Sequence, residues 1–434
     1  MNKRILNIAI PNIISNITIP LLGIVDLALV GHLDSKVYIG AIAIGTMIFN
    51  FIYWGFSFLR MGTSGFTAQA YGKRNLEEST LILSRSLIVA FAGALLLLLL
   101  QIPIAWLSFK IINGSTEVEY FARQYFFIRI WAAPATIGLY AITGWFIGMQ
   151  NSRFPMIIAI IINALNIAFN ILLIRVFGMK SDGVALGTVF AQYSGFIISI
   201  ILLLKYYGKL SKYINLVKAM QAKALKMFYL VNKDIFIRTI FLIFILSFFT
   251  AVSASKGDTT LAVNTLLLQF FTIFSYITDG FAYAGEAIVG KYYGANDKKN
   301  LYKATKLLFL WGIALSLIFT IVYAFFNDKL ILLFTNNKIV IEQVKPYLFW
   351  TILLPLASFS AFIWDGIYIG ATASAGMRNS MLFSSIVIFL PLYYIFNNLW
   401  GNNGLWFAFL LFMLSRGIFQ SIMAKKSIFN KISC

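Results

Sequence analysis

Apolar runs long enough to cross a bilayer recur along the chain, and they leave it few ways to fold. They fall at approximately 5–30, 37–60, 81–109, 121–148, 154–177, 183–204, 227–254, 260–284, 302–326, 346–370, 378–398 and 403–424. A backbone crossing hydrocarbon must satisfy its own N–H and C=O groups, so it crosses as a helix or as a closed barrel. These runs exceed barrel-strand length and lack period-two alternation, which excludes a barrel. The expected fold class is therefore all-α, a polytopic membrane protein with twelve transmembrane helices. Composition agrees: 60% of residues are apolar and 12% are charged, against about 25% charged in a soluble domain. The mean hydropathy is +0.84.

The second constraint is duplication. Tyr71-Gly72 precedes a basic, Asn-bearing turn, and Tyr293-Gly294, 222 positions further on, precedes another. The stretch Gly144–Gly148 (GWFIG) recurs as Gly366–Gly370 (GIYIG) at the same shift, and Gly183 has a counterpart in Gly404. Six spans per repeat give both halves one orientation, related by a pseudo-two-fold axis along the membrane normal. We expect an N-lobe at 1–204, a cytoplasmic amphipathic linker at 205–226 with six lysines, and a C-lobe at 227–434. Internal repeats in a membrane chain are a transporter signature.

The net charge of +20 sits in short loops between spans, with no basic domain, so it reads as topology information and excludes a nucleic-acid partner. The Lys and Arg bias places both termini in the cytoplasm and makes the chain a multi-pass protein of the plasma (inner) membrane. MNKR and the apolar run after it lack a small-residue cleavage site and read as a retained span. Cys434, the single cysteine, permits no disulfide within the chain. His32 has no second ligand nearby, so no metal site is expected. No nucleotide-binding loop or nucleophile pattern occurs; neither an enzyme nor a cofactor is expected. A monomer in the lipid bilayer is expected.

Ionisable and amide groups inside spans are costly, and they face a cavity or a partner. In span 1, Asn12, Asn16, Gly23 and Asp26 share a helix face, and Pro11 and Pro20 each remove a backbone hydrogen bond. A bendable helix with a buried acid suits a gate; a structural acid is the other reading. In span 5, Asn163, Asn166 and Asn170 share a face. Thr188 of span 6 adds a hydroxyl. Together they suit either an ion or substrate site or helix–helix adhesion. The second half carries Asp279 and Glu286 on one face of span 8, Asp365 in span 10, and Arg238 in span 7 to neutralise one of them. These four form either a structural network or a second cation site.

Several segments resemble the multidrug and toxic compound extrusion (MATE) family, and most of all its DNA-damage-inducible (DinF) branch. They are VDLALVGHL at 25–33, GTSGFTAQAYGKRN at 62–75, GWFIGMQNSRFP at 144–155, NALNIAFN at 163–170, DGFAYAGEAIVGKYYGAND at 279–297 and DGIYIGATASAGMRNS at 365–380. The resemblance implies two six-helix lobes in a V around a cavity, and export of amphipathic, often cationic compounds against inward H+ or Na+. It implies coupling roles for Asp26, Asn166 and Thr188. The branch commonly has Asp one turn beyond Asn166, where this chain has Asn170. The sodium-coupled branch has an acid in span 7 that is missing between Thr239 and Ala251, while its span 10 Asp matches Asp365. The coupling ion, H+ or Na+, stays open.

The expected function is secondary antiport with Asp26 as the main coupling acid. Desolvation penalises a charged carboxylate, which suits Asp26 to take a proton on one side and release it on the other. A single mid-span carboxylate in the N-lobe favours lipophilic monocations or neutral amphiphiles over dications. The alternative is a flippase for lipid-linked or polysaccharide precursors, which calls for a strongly cationic cavity; mid-span cations are few here, chiefly Arg129 and Arg238.

Overall fold

The computed structural model describes residues 1–30, 35–112 and 114–432, the side chains of 19–30 excepted. In chain order its helices are α1 (Asn2–Val30), α2 (Lys36–Gly72), α3 (Leu76–Leu99), α4 (Gln101–Ile111), α5 (Thr116–Arg129), α6 (Ala133–Gly148), α7 (Arg153–Ile171), α8 (Ser181–Tyr207), α9 (Leu216–Ala219), α10 (Ala222–Ser255), α11 (Asp258–Gly294), α12 (Lys298–Phe334), α13 (Lys338–Val344), α14 (Leu348–Gly370), α15 (Ser374–Phe383), α16 (Leu390–Trp400) and α17 (Asn402–Ser427). No strand occurs among the described residues. Eleven continuous helical segments among those residues are long and apolar enough to cross a membrane. α1, with 29 residues, is a further helix of spanning length.

Several helices outrun the apolar stretches that announce them. α2 continues past Arg60 through Gly62, Thr63, Ser64 and Gly65, all buried. Such small, weakly polar residues lower hydropathy but let helices approach closely. The approach is real at Gly144 and Gly366. A Cβ on Gly144 would stand 2.4 Å from the Arg60 carbonyl oxygen, and one on Gly366 would stand 2.1 Å from that of Ala282. The run at 81–109 is divided, because α3 ends at Leu99 and α4 begins at Gln101, two residues before Pro103. The last run but two is preceded by the separate short helix α13.

The duplication is written into the backbone. α2 and α11 both have 37 residues and are offset by 222 positions. Left-handed residues follow them at Arg74 and Asn296, and again after α6 and α14 at Gln150 and Thr372. Asn75 caps α3 by accepting from the Glu78 amide at 2.9 Å, and Asp297 caps α12 by accepting from the Asn300 amide at 3.0 Å. Each cap satisfies a donor that a helix start leaves free. α7 and α15 each run on into a π-helical segment, Leu172–Val176 and Ser384–Phe389.

By contacts the chain divides into a first unit, Ile14–Phe228, and a second unit, Met1–Ile13 with Tyr229–Cys434. The expected boundaries at 204 and 226 followed the spans. The packing units differ because two helices change unit along their length. The start of α1 packs on the second unit, where Ala9 and Ile13 meet Gly280 and Arg4 Nη1 donates to Tyr292 Oη at 3.2 Å. Further along α1, the Thr18 carbonyl accepts from Asn163 Nδ2 at 3.3 Å within the first unit. Conversely, Phe228 in α10 stacks on Phe66 of the first unit, 5.6 Å between centroids.

The lysine-rich connection is a 3₁₀ segment, Gly208–Tyr213, followed by α9. Arg85 Nε donates to the Ala219 carbonyl at 2.8 Å, and Lys218 pairs with Glu77 at 2.7 Å. These contacts fasten the connection to the start of α3.

Candidate functional site

The amides of span 5 do not act as one row. Asn163 is spent on the Thr18 carbonyl of α1. Asn166 and Asn170 are both buried and joined to each other: Asn170 Nδ2 donates to Asn166 Oδ1 at 3.0 Å, and Asn166 Nδ2 donates to Thr188 Oγ1 of α8 at 3.1 Å. Thr188 in turn donates to the Val184 carbonyl at 2.9 Å. The result is a directional chain from Asn170 through Asn166 to Thr188. α7 and α8 bring it together because Gly187 has no side chain. A Cβ there would lie 2.1 Å from Asn170 Oδ1. Asn170 also sits two residues before the π-helical segment Leu172–Val176, an irregularity that often marks functional positions.

Asp26, Pro20 and Gly23 belong to α1, but their side chains lie outside the described residues; His32 and Asp34 lie outside them altogether. α1 is continuous through Pro11 and Pro20, and its change of packing unit, between Ile13 and Ile14, falls between these prolines. Asn12, buried, donates to the Ile8 carbonyl at 2.8 Å within its own helix.

In the second unit the sequence-derived set separates. Asp365, 5% exposed, is the centre of a buried network. Its Oδ2 accepts from Arg238 Nη2 and from Arg416 Nη2, the latter at 2.8 Å, and its Oδ1 accepts from Gln420 Nε2 at 2.7 Å. Three helices, α10, α14 and α17, are thereby tied together. Asp279, half-buried in α11, acts electrostatically on Arg416. Glu286, fully buried in the same helix, lies at the crossing with α14, where its backbone carbonyl meets Gly370.

Sequence reasoning missed Arg416 and Gln420 as partners of Asp365. They are four apart on an apolar helix, which puts them on one face, but nothing in the sequence couples that face to residue 365. It also missed a second ion pair, in which Asp234 of α10 binds Arg378 and accepts from Ser374 Oγ at 3.0 Å. A third cluster went unread too. Asn264 and Asn402 exchange side-chain hydrogen bonds of 2.8 and 2.9 Å, and Asn264 Oδ1 also accepts from Trp406 Nε1 at 2.8 Å. Such satisfied amides hold helices together where hydrophobic burial gives no net drive.

Chemically, then, the first unit offers a neutral, polarisable chain of amides and a hydroxyl. The second offers a carboxylate already committed to two guanidinium groups. The MatE family model matches this chain twice, over residues 11–172 and 235–395, once in each half. The chain belongs to the MATE family. It is 34% identical over 423 residues to DNA damage-inducible protein F of Escherichia coli (strain K12), covering 96% of this chain and 90% of that protein. It is 23% identical over 428 residues to the probable multidrug resistance protein NorM of Bacillus anthracis, covering 94% of this chain and 92% of that protein. Among solved structures, the Vibrio cholerae MATE transporter VcmN in the bent form superposes with a TM-score of 0.85 at 17% identity, covering 98% of this chain and 96% of that one. At that identity the likeness concerns the fold: an all-helical, multi-pass membrane protein. The chain is a DinF-like MATE transporter and not an enzyme.

Proposed function

We propose that this MATE transporter is a secondary antiporter that exports amphipathic, often cationic compounds in exchange for H+, with Na+ as the competing coupling ion. Asp26 is the main coupling acid. The observation that carries this reading is the buried relay from Asn170 through Asn166 to Thr188, set in a MATE chain whose first helix bears an acid. A buried amide chain of this kind has few alternatives to rearranging as a unit, because each member left unpaired in an apolar setting costs about 1–3 kcal/mol. Protonation of Asp26 removes a charge that such a chain would answer. α1 then bends at Pro11 or Pro20 and the substrate leaves. In this reading the protein works as a monomer in the plasma (inner) membrane with both termini in the cytoplasm, and the halves 1–204 and 227–434 act as lobes joined by the linker 205–226. Asp365, held by Arg238 and Arg416, serves structure, and Asp279, within electrostatic reach of Arg416, and Glu286 are the second half's further candidates for an ion.

The test uses sealed inverted vesicles with H+ and Na+ gradients imposed separately and a lipophilic monocationic dye as substrate. Wild type accumulates dye under the H+ gradient, and Asp26→Asn abolishes this while dye still binds. Intact H+-driven transport in Asp26→Asn removes the assignment; transport only under Na+ moves the coupling to the other ion.

A further inference from the structure

Residues 205–226, from the last turn of α8 to the start of α10, hold six lysines and no acidic residue. Lys205, Lys209, Lys212, Lys218, Lys223 and Lys226 are all exposed. Large apolar side chains among them are exposed as well: Tyr206, Ile214, Leu216, Val217 and Met220. Val217 is the extreme, at 83%. Two tyrosine rings carry a neighbouring ammonium group, Lys205 at 5.8 Å from the centroid of Tyr206 and Lys212 at 4.9 Å from that of Tyr213. Cationic and apolar groups thus share one stretch of surface.

The stretch is pinned from behind at both ends. Tyr207 packs edge-on against Trp145, 4.9 Å between centroids, and accepts from Asn151 Nδ2 at 3.3 Å. Leu210 packs on the same apolar cluster. Further on, Ala219 is fully buried, and its carbonyl accepts from Arg85, itself buried and paired with Glu78 at 2.9 Å. Asn215 fixes the start of α9 by accepting from the Lys218 amide at 2.9 Å. The partners of Lys218 and Ala219 on α3 are Glu77 and Arg85, about 12 Å apart along the helix axis. α9 therefore lies alongside the first turns of a helix that spans the membrane. Ile214, Leu216 and Val217 face away from the protein at the level where α3 enters the bilayer and α8 leaves it.

Three surroundings compete for such a surface. In water, neighbouring large apolar side chains stay hydrated to no advantage. In hydrocarbon, a row of lysines is prohibitive. At the boundary both requirements are met, with apolar side chains below the head groups, ammonium groups among the phosphates and tyrosine rings between them. We propose that residues 205–226 form a docking surface for anionic phospholipid in the leaflet at which α8 ends. Ile214, Leu216 and Val217 insert between the acyl chains. Lys205, Lys209 and Lys212, at spacings of four and three, hold the negatively charged head groups. The attraction of a lysine to an anionic surface fades within about 8 Å at physiological salt. Ammonium groups carried on a backbone pinned at that surface keep this attraction, whereas those of a loose loop lose most of it. Anionic lipid thereby orders the connection between the two halves of the chain.

The test attaches a bimane to Val217→Cys, with Cys434→Ser removing the chain's own cysteine. The full-length protein is placed in phosphatidylcholine nanodiscs with and without phosphatidylglycerol. Lipids spin-labelled near the headgroup end of the acyl chain quench the bimane. Phosphatidylglycerol deepens that quenching about twofold, and high salt reverses the gain. With Lys205→Gln, Lys209→Gln and Lys212→Gln combined, quenching stays at the phosphatidylcholine level in both discs. The wild-type chain, without label, gives a second reading: hydrogen exchange across residues 208–219 slows about tenfold when phosphatidylglycerol is present. A bimane reached by aqueous iodide and not by the lipid quencher overturns the proposal. So does equal exchange in the two lipids, or a phosphatidylglycerol effect that survives the triple substitution. Equal protection of the same residues by soluble polyglutamate, in detergent without phosphatidylglycerol, assigns the surface to an acidic soluble partner and overturns the choice of lipid.

Discussion

The candidate clusters of the two units set polar side chains into apolar helices by opposite means. The first unit uses neutral groups passed along a chain, Asn170 to Asn166 to Thr188. The second uses charge, with Asp365 gripped by Arg238, Arg416 and Gln420. A neutral chain has many near-equal arrangements, because amides and hydroxyls both donate and accept. A buried carboxylate between two guanidinium groups has essentially one. The comparison teaches where each half can yield: the first unit holds groups able to exchange hydrogen-bond partners, and the second holds a clamp across α10, α14 and α17.

The largest expected effect breaks that clamp. Asp365→Ala leaves two buried cations without their partner, and unfolding in detergent should show a loss of about 3–5 kcal/mol. Asn166→Ala, the comparable cut in the first unit, should cost about 1–3 kcal/mol. Equal losses in the two variants would remove the distinction between a clamp and a relay.

A smaller effect sharpens the comparison from the other side. Asn170→Asp puts a carboxylate beside Asn166 and takes away the amide that donates to it. Efflux of dications relative to monocations should rise severalfold, with a stability loss of about 1–3 kcal/mol for the missing donor. An unchanged substrate panel would mean that residue 170 lies outside the substrate's electrostatic reach.

The smallest effect concerns the matched caps. Asp297 accepts from the Asn300 side chain at 2.7 Å and from its backbone amide, and these bonds hold its carboxyl below the usual carboxylate range. A lowered carboxyl stabilises above its unfolded value, about 3.9, and loses that contribution as pH falls through the folded value. Hydrogen exchange in the first turn of α12 should therefore quicken in acid beyond the intrinsic rate. The cap of α3 is the neutral Asn75, which does not titrate. Asp297→Asn should abolish the acid sensitivity at a cost of about a few tenths of a kcal/mol.

Much of this was legible in the residues. Hydrocarbon thickness forces long apolar runs, so the spans announce themselves. The 222-residue repeat predicted features that recur in the backbone, from the left-handed turns at Arg74 and Asn296 to the glycine crossings at Gly144 and Gly366. Helix ends were less legible. Residues 62–72 are helical because small side chains pack at a crossing, which hydropathy does not register. Of the site, the side-by-side spacing of Asn166 and Asn170 pointed to one face, and their mutual hydrogen bond follows from it.

The sequence by itself therefore determined a duplicated, multi-pass helical chain with polar groups set into its spans. Those properties depend on local composition and on spacing along one helix. Tertiary structure alone decided which polar groups meet. Asp365 chose Arg238 and Arg416, from helices 127 and 51 residues away. Asn163 left its row for the Thr18 carbonyl. The physical reason is that a charge or an amide in hydrocarbon must be answered by whatever group packing brings within hydrogen-bond distance. Packing is a property of several helices at once, and no single stretch of sequence carries it.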